Sequence, residues 1–240
     1  METRHISKAF GGLRVIEDIS FALQDRETLG IIGPNGSGKT TLFNLISGFL
    51  KPDTGEIVFL GKDITNKNSA NVCKEGIART FQIVRPFLQL TTLENVTAGR
   101  AYGKDPARNL KTARKEAIEI LDMLGLGPKK MVVAGQLNLI DRKRLEIARA
   151  LATRPQLLLL DEVFAGLNHA EVEEALRLLA TIKNLGITLM IVEHVMKVIL
   201  GVSDRVIVIS SGKKIFEGLP KEAIEDVKVC EAYLGENFCA

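Results

Sequence analysis

The sequence predicts an α/β fold, a mostly parallel sheet with helices on both faces, and three observations predict it. A glycine-rich loop, Gly33-Pro34-Asn35-Gly36-Ser37-Gly38-Lys39-Thr40, stands between an apolar run, Leu29-Gly30-Ile31-Ile32, and a helix-like segment, Thr41-Leu42-Phe43-Asn44-Leu45-Ile46. A second apolar run, residues 157–160, reads as a strand buried on both faces and ends in two acids, Asp161 and Glu162. Beyond it, short apolar strands alternate with amphipathic helices, the pattern of a parallel sheet.

In the first fifty residues, strands lead into the glycine loop. Val15-Ile16-Glu17-Asp18-Ile19-Ser20-Phe21-Ala22-Leu23 has alternating stretches that suit a strand. Pro52-Asp53-Thr54-Gly55 is a turn, and Glu56-Ile57-Val58-Phe59-Leu60 a strand closed by Gly61. From about residue 93 to 151 the period is helical. Residues 109–124 place Leu110, Ala113, Ala117, Ile120, Leu121 and Leu124 on one stripe, ended by Gly125, Gly127 and Pro128. A second helix, 142–151, has Leu145, Ile147, Ala148 and Leu151 apolar. After Pro155 the α/β character returns, with a helix over 171–184 and strands at 187–192 and 205–209. The expected division is a core of residues 1–81 and 154–240, with 82–153 an inserted helical subdomain.

Composition narrows the function classes. The chain has 240 residues, enough for one large domain or a core with a subdomain. Its 32 Lys and Arg against 29 Asp and Glu leave a net charge of +3, too small to argue for nucleic acid. Cys73, Cys230 and Cys239 have neither metal-ligand spacing nor nearby histidines, so free thiols are expected. The polar start lacks the apolar core of a signal peptide, and no run approaches the roughly 18 apolar residues of a membrane span.

The glycine loop fits G-x-x-x-x-G-K-[ST] in the strand–loop–helix context that the motif needs. Glycines let the backbone turn tightly, so that its N–H groups face phosphate oxygens, and the following helix start adds unpaired N–H groups. The expected phosphate site is Gly33, Pro34, Asn35, Gly36, Ser37, Gly38, Lys39, Thr40 and Thr41, with Lys39 reaching the β- and γ-phosphates and Thr40 ligating Mg²⁺. An acid at the carboxyl end of a buried strand lies where α/β sheets place ligands. Asp161 is expected to hold Mg²⁺ and Glu162 to polarise the attacking water. His194, after the apolar Val192, could hold that water, although a lone histidine is more often structural. A guanine-reading N-K-x-D motif is missing: its nearest approach, Asn66-Lys67-Asn68-Ser69, lacks the aspartate.

With these motifs in order, the chain resembles the ATPase subunits of ABC transporters over nearly its whole length. The resemblance implies a P-loop NTPase (RecA-like) core with an antiparallel β part and an inserted α-helical subdomain, binding ATP and Mg²⁺. Gln82, in Arg79-Thr80-Phe81-Gln82, matches the glutamine that contacts Mg²⁺ and the attacking water in that family. His194 matches its switch histidine, Asn168 its D-loop, and Phe10 the aromatic residue that stacks on adenine. Ile77-Ala78-Arg79-Thr80-Phe81-Gln82, Arg144-Leu145-Glu146-Ile147-Ala148-Arg149-Ala150-Leu151 and the ending Glu231-Ala232-Tyr233-Leu234-Gly235-Glu236 look like the ATPases of branched-chain amino acid importers. Implied partners are two transmembrane permease subunits and a second ATPase subunit, with a substrate-binding protein engaged only through the permease and no direct nucleic acid. The implied location is the cytoplasmic face of the membrane, and Val84-Arg85-Pro86-Phe87-Leu88 is a candidate lining for the groove that receives a permease helix.

The resemblance breaks at one place. The family signature, L-S-G-G-Q or a close relative, aligns with Leu137-Asn138-Leu139-Ile140-Asp141. In the family this segment closes on ATP held by the other subunit. Asn138 can still donate through its amide, but Ile140 brings a branched side chain where backbone meets phosphate, and Asp141 adds a negative charge. A competent P-loop with a weakened signature is expected, so that a homodimer hydrolyses ATP poorly while a heterodimer keeps one good site. Val163 also replaces the proline common after the acid pair, a minor loss of loop rigidity. The alternatives are a regulatory or degenerate ABC subunit with weak hydrolysis, and a soluble non-transport ABC ATPase.

Overall fold

The structure, a computed structural model, describes residues 1–82, 85–164, 166 and 168–234. In chain order the elements are β1 (Glu2–Phe10), β2 (Leu13–Ala22), β3 (Thr28–Ile32), α1 (Lys39–Ile46), β4 (Thr54–Phe59), β5 (Lys62–Asp63), α2 (Ser69–Glu75) and β6 (Ile77–Arg79). Three helices follow: α3 (Thr92–Arg100), α4 (Leu110–Met123) and α5 (Leu139–Ala152). The remainder comprises β7 (Leu157–Asp161), α6 (His169–Asn184), β8 (Thr188–Val192), α7 (Met196–Val202), β9 (Arg205–Ser210), β10 (Lys213–Gly218), α8 (Pro220–Glu225) and α9 (Val227–Leu234). Two compact units result, one of Met1–Ser69 with the chain from Phe164 onward, the other Ala70–Val163.

In the first unit, β3 pairs in parallel with both β8 and β9, and β10 closes antiparallel on β9. Every residue of β3 and of β8 is buried, as a parallel strand covered on both faces requires. Gly30 serves this packing, because a Cβ there would stand 2.8 Å from Ser203 Oγ and 3.0 Å from a Val206 methyl. A separate antiparallel sheet runs β2-β1-β4-β5. The strand β1 has no clean alternation in sequence, and its geometry explains why. Its register on β2 shifts repeatedly, and His5 and Asp18 adopt left-handed backbone at φ 50° and 53°. Each bulge resets the two-residue period.

In the second unit, β6 and β7 pair in parallel, and the helices α3, α4 and α5 pack together. The stripe on α4 buries Ala113, Ala117 and Leu121, while Leu110, its first residue, is exposed. Helix starts are set by side chains. Thr91 and Glu94 form a capping box on α3, Asn109 accepts from the Thr112 N–H, and Asn138 accepts from the Asp141 N–H. The cap at Asn138 starts α5 three residues before the apolar period becomes visible. Among the described residues, no helix is long and apolar enough to cross a membrane.

Candidate nucleotide-binding site

The glycine loop leaves β3 and enters α1 within the first unit. Gly33 has φ 152°, and a Cβ there would stand 2.0 Å from the Ile209 carbonyl oxygen, so only glycine fits. Gly38 has φ 108° and a Cβ there would meet the Val15 carbonyl oxygen at 2.6 Å. Gly38 is also the N-cap of α1, which has no side-chain cap and no acid in its first turn. That helix start therefore presents backbone N–H groups unopposed by negative charge, the setting for an anion. Lys39 is buried, and its ammonium donates to the carbonyls of Gly33 and Pro34 at 2.8 and 2.9 Å. Ser37 Oγ is buried in the same loop with no hydrogen-bond partner. A positive charge, a bare helix start and an unsatisfied hydroxyl form a donor set matched to phosphate oxygens. Thr40 is exposed and Thr41 half-buried at the first turn of α1.

The expected adenine contact, Phe10, is exposed at the end of β1, with the Lys8 ammonium 5.7 Å from its ring centroid. Lys8 is itself held by Asp53 at 2.6 Å. His194 is exposed just past β8. Its neighbour Glu193 is buried and accepts from the Phe164 N–H at 2.7 Å, tying the segment after the acid pair to the end of β8. Asn168 caps α6 in a reciprocal box with Glu171, which commits its side-chain oxygen to the helix. Burial pushes the phenol of Tyr233, on α9, above its ordinary value.

In the second unit, the acid pair ends β7. Asp161 is fully buried, and its carboxylate is ion-paired with the Arg79 guanidinium at 2.7 Å. Burial pulls the Arg79 pKa down, opposed by the Asp161 charge. The Asp161 N–H donates to Thr80 Oγ1 at 3.2 Å, and the Thr80 N–H to the Leu159 carbonyl at 2.9 Å. Glu162 is half-buried with φ 49°, a left-handed conformation unusual outside glycine. Such strain gathers at functional sites. Gln82 Nε2 donates to Glu162 Oε2 at 2.6 Å. Three near-consecutive residues, Arg79, Thr80 and Gln82, thus hold both acids.

The signature-like segment starts α5. Asn138 Oδ1 accepts from the Asp141 N–H at 2.8 Å, Leu139 is exposed, and Asp141 is buried and ion-paired with Lys129. Val84, Gly235, Glu236 and Cys239 lie outside the described residues. Cys73 and Cys230 are free, and burial raises the Cys73 thiol pKa. Among the described residues, no cluster of three or more His, Cys, Asp or Glu is placed to hold a metal by itself.

Sequence reading did not assign roles to Arg79, Thr80, Glu146, Lys129 or Glu193. Arg79 and Thr80 stand in the Gln82 motif and Glu146 in the stretch 144–151, but nothing local marks their partners.

Known proteins resemble this chain over nearly its whole length. The family described as "ABC transporter" matches residues 16–165. The high-affinity branched-chain amino acid transport ATP-binding protein LivG of Salmonella typhimurium is 37% identical over 242 residues, covering 95% of this chain and 94% of LivG. The ADP conformation of an ATP-binding cassette of an ABC transporter superposes with a TM-score of 0.87 at 35% identity, covering 98% of each chain. A dimeric post-hydrolysis cassette bound to ADP and phosphate matches with a TM-score of 0.82 at 27% identity, covering 91% of this chain and 98% of that one.

Proposed function

This chain belongs to the ABC transporter family, and from that premise we propose that it is the ATP-hydrolysing subunit of an importer for branched-chain or other hydrophobic amino acids. ATP is gripped through the loop around Lys39, with residues 33–41 supplying N–H groups and Phe10 stacking on the base. The donors suit Mg²⁺ as well, since the Asp161 carboxylate and Thr40 hydroxyl are hard oxygen ligands. That ion would offset triphosphate charge. Glu162 takes a proton from the attacking water, and Gln82 and His194 orient that water. Residues 82–153 form the inserted subdomain that faces the transport partners.

One observation carries hydrolysis: Glu162 is held in strained backbone with Gln82 donating to its carboxylate at 2.6 Å. The amide holds the Glu162 carboxylate in place from the side of Gln82. Glu162→Gln preserves shape and removes the base. ATP turnover is expected to fall by about 10²-fold or more while ATP binding persists, the scale of general-base loss. Unchanged turnover in a phosphate-release assay removes Glu162 from this role.

The assembly we infer has two permease subunits and a second ATPase subunit on the cytoplasmic face of the membrane, joined to the substrate-binding protein only through the permease. Asymmetry between the two ATPase subunits is favoured by α5. The Asp141 N–H is taken up by the Asn138 cap, Leu139 and Ile140 stand where the family signature has glycines, and Asp141 sets a carboxylate where it has glutamine. Such a helix start is a poor clamp for a partner's triphosphate, which supports a reading in which the partner's site is the weaker of two.

A further inference from the structure

The residue that sets the position of Gln82 lies on α5. The Glu146 side chain is 5% exposed, and its two oxygens are spent separately. Oε2 accepts from the Phe81 N–H at 3.3 Å, and Oε1 accepts from the Arg85 N–H at 2.8 Å. These donors stand on either side of Gln82. Arg149, one helical turn further on, donates to the Arg85 carbonyl at 2.9 Å and lies 3.5 Å from Glu146 Oε1. Its guanidinium also covers the Phe87 ring at 4.7 Å from the centroid. Both backbone shoulders of the segment are thus pinned to one rigid helix, 61 and 65 positions away in sequence.

A buried carboxylate is costly unless it is fully hydrogen-bonded. Here its acceptors meet two backbone donors and one cation, and a charged acceptor strengthens each bond. A hydrophobic residue would pack α5 equally well but would leave two N–H groups of the segment to solvent. We propose that Glu146 is a positioning residue: it spans the Gln82 segment from α5 and holds the Gln82 amide where it meets Glu162. Through it, a shift of α5, whose start is the signature-like turn at Asn138, reaches the carboxylate at the end of β7. This rests on Gln82 and Glu162 acting in hydrolysis, as proposed above.

The test is a double-mutant cycle in the full-length chain with Glu146→Gln and Gln82→Ala. A carboxamide keeps size but has one acceptor oxygen, and its NH₂ would face an N–H donor. One arm of the span is then lost. Expected for Glu146→Gln are a kcat lower by about tenfold, a KM for ATP and an ADP affinity within twofold, and amide exchange of the peptide over 79–88 faster by about tenfold, while the peptide over 33–41 is unchanged. In the Gln82→Ala background, Glu146→Gln is expected to cause no further fall in kcat. If the two losses multiply, or if ADP affinity falls in parallel with kcat, Glu146 is a general stabiliser and the proposal is overturned. Unchanged exchange over 79–88 overturns it independently of any turnover. If Gln82→Ala alone leaves kcat intact, the reading of Gln82 fails first and takes this inference with it. A large Gln82→Ala effect with an inert Glu146→Gln sinks the inference alone.

Discussion

Single residues here divide into those whose chemistry demands a letter pattern and those whose meaning depends on a distant partner. Lys39, Asp161 and Glu162 belong to the first group: a phosphate cradle needs its glycines and lysine at fixed offsets, and a ligand-facing acid must end a buried strand. Arg79 belongs to the second. It pairs with Asp161 across 82 positions, and no local pattern announces such a bond. The pair is 5% and 1% exposed at its side chains, so both charges are largely cut off from water. Removing one partner takes a close opposite charge from the other in a low-dielectric interior. Arg79→Met is therefore expected to cost about 3–5 kcal/mol in denaturant unfolding. Much of that loss is expected to return in an Asp161→Asn background. A single-mutant loss below about 1 kcal/mol would show that Asp161 finds water or another donor, and that the pair adds little.

At the scale of elements, buried strands and helix stripes were readable because burial on two faces, or on one stripe, leaves a plain period. The strand β7 is apolar along residues 157–160 and fully buried, and α5 buries Leu145, Ile147, Ala148 and Leu151 as its stripe requires. The strand β1 was obscure because bulges break its alternation, and β6, with only three residues, is too short to show a period. The start of α5 was obscure for another reason: the residues that make it are defined by capping, which no apolar count detects. That start is where the sequence reading expects a departure from the family signature, and the described side chains there are accommodated locally. Asn138 caps the helix, Asp141 pairs with Lys129, and Leu139 faces solvent. Nothing in the fold of α5 needs those residues for burial except Asp141. The triple change Asn138→Ser, Leu139→Gly, Ile140→Gly should keep a capped helix, since serine caps as well as asparagine, at about 1 kcal/mol for each glycine. With a second ATPase subunit present, turnover at saturating ATP is expected to rise by about tenfold, because hydroxyl and glycine N–H groups would then meet the partner's phosphate. No gain would mean that the segment, as it stands, already serves the partner's site.

For the whole molecule, the fold and the nucleotide chemistry were legible and the cargo was not. In the proposed assembly cargo is chosen by other chains, so no residue here has to encode it. In that assembly this chain would supply a surface for the permease; among its described residues no helix is long and apolar enough to cross a membrane. The stretch singled out for that purpose in the sequence includes Val84, outside the described residues, and Phe87 and Leu88, which are 51% and 48% exposed. Two adjacent apolar side chains half open to water contribute little to folding and much to an interface that covers them. Phe87 is also pre-set for contact. Arg149 lies over one part of its ring, and its backbone N–H donates to Asn95 Oδ1 at 2.8 Å, so binding would cost little ordering. The same neighbourhood holds Arg85, whose N–H and carbonyl are both bound to α5. A push on Phe87 is thus a push on the Gln82 segment. Phe87→Asp is expected to abolish co-purification with the permease subunits while ATP affinity stays within twofold. A burial cost of roughly 2 kcal/mol or more for an unpaired carboxylate exceeds what a marginal docking contact can absorb. Co-purification that survives the substitution would place the permease elsewhere on this chain, and would separate the mechanical input from the Gln82 segment.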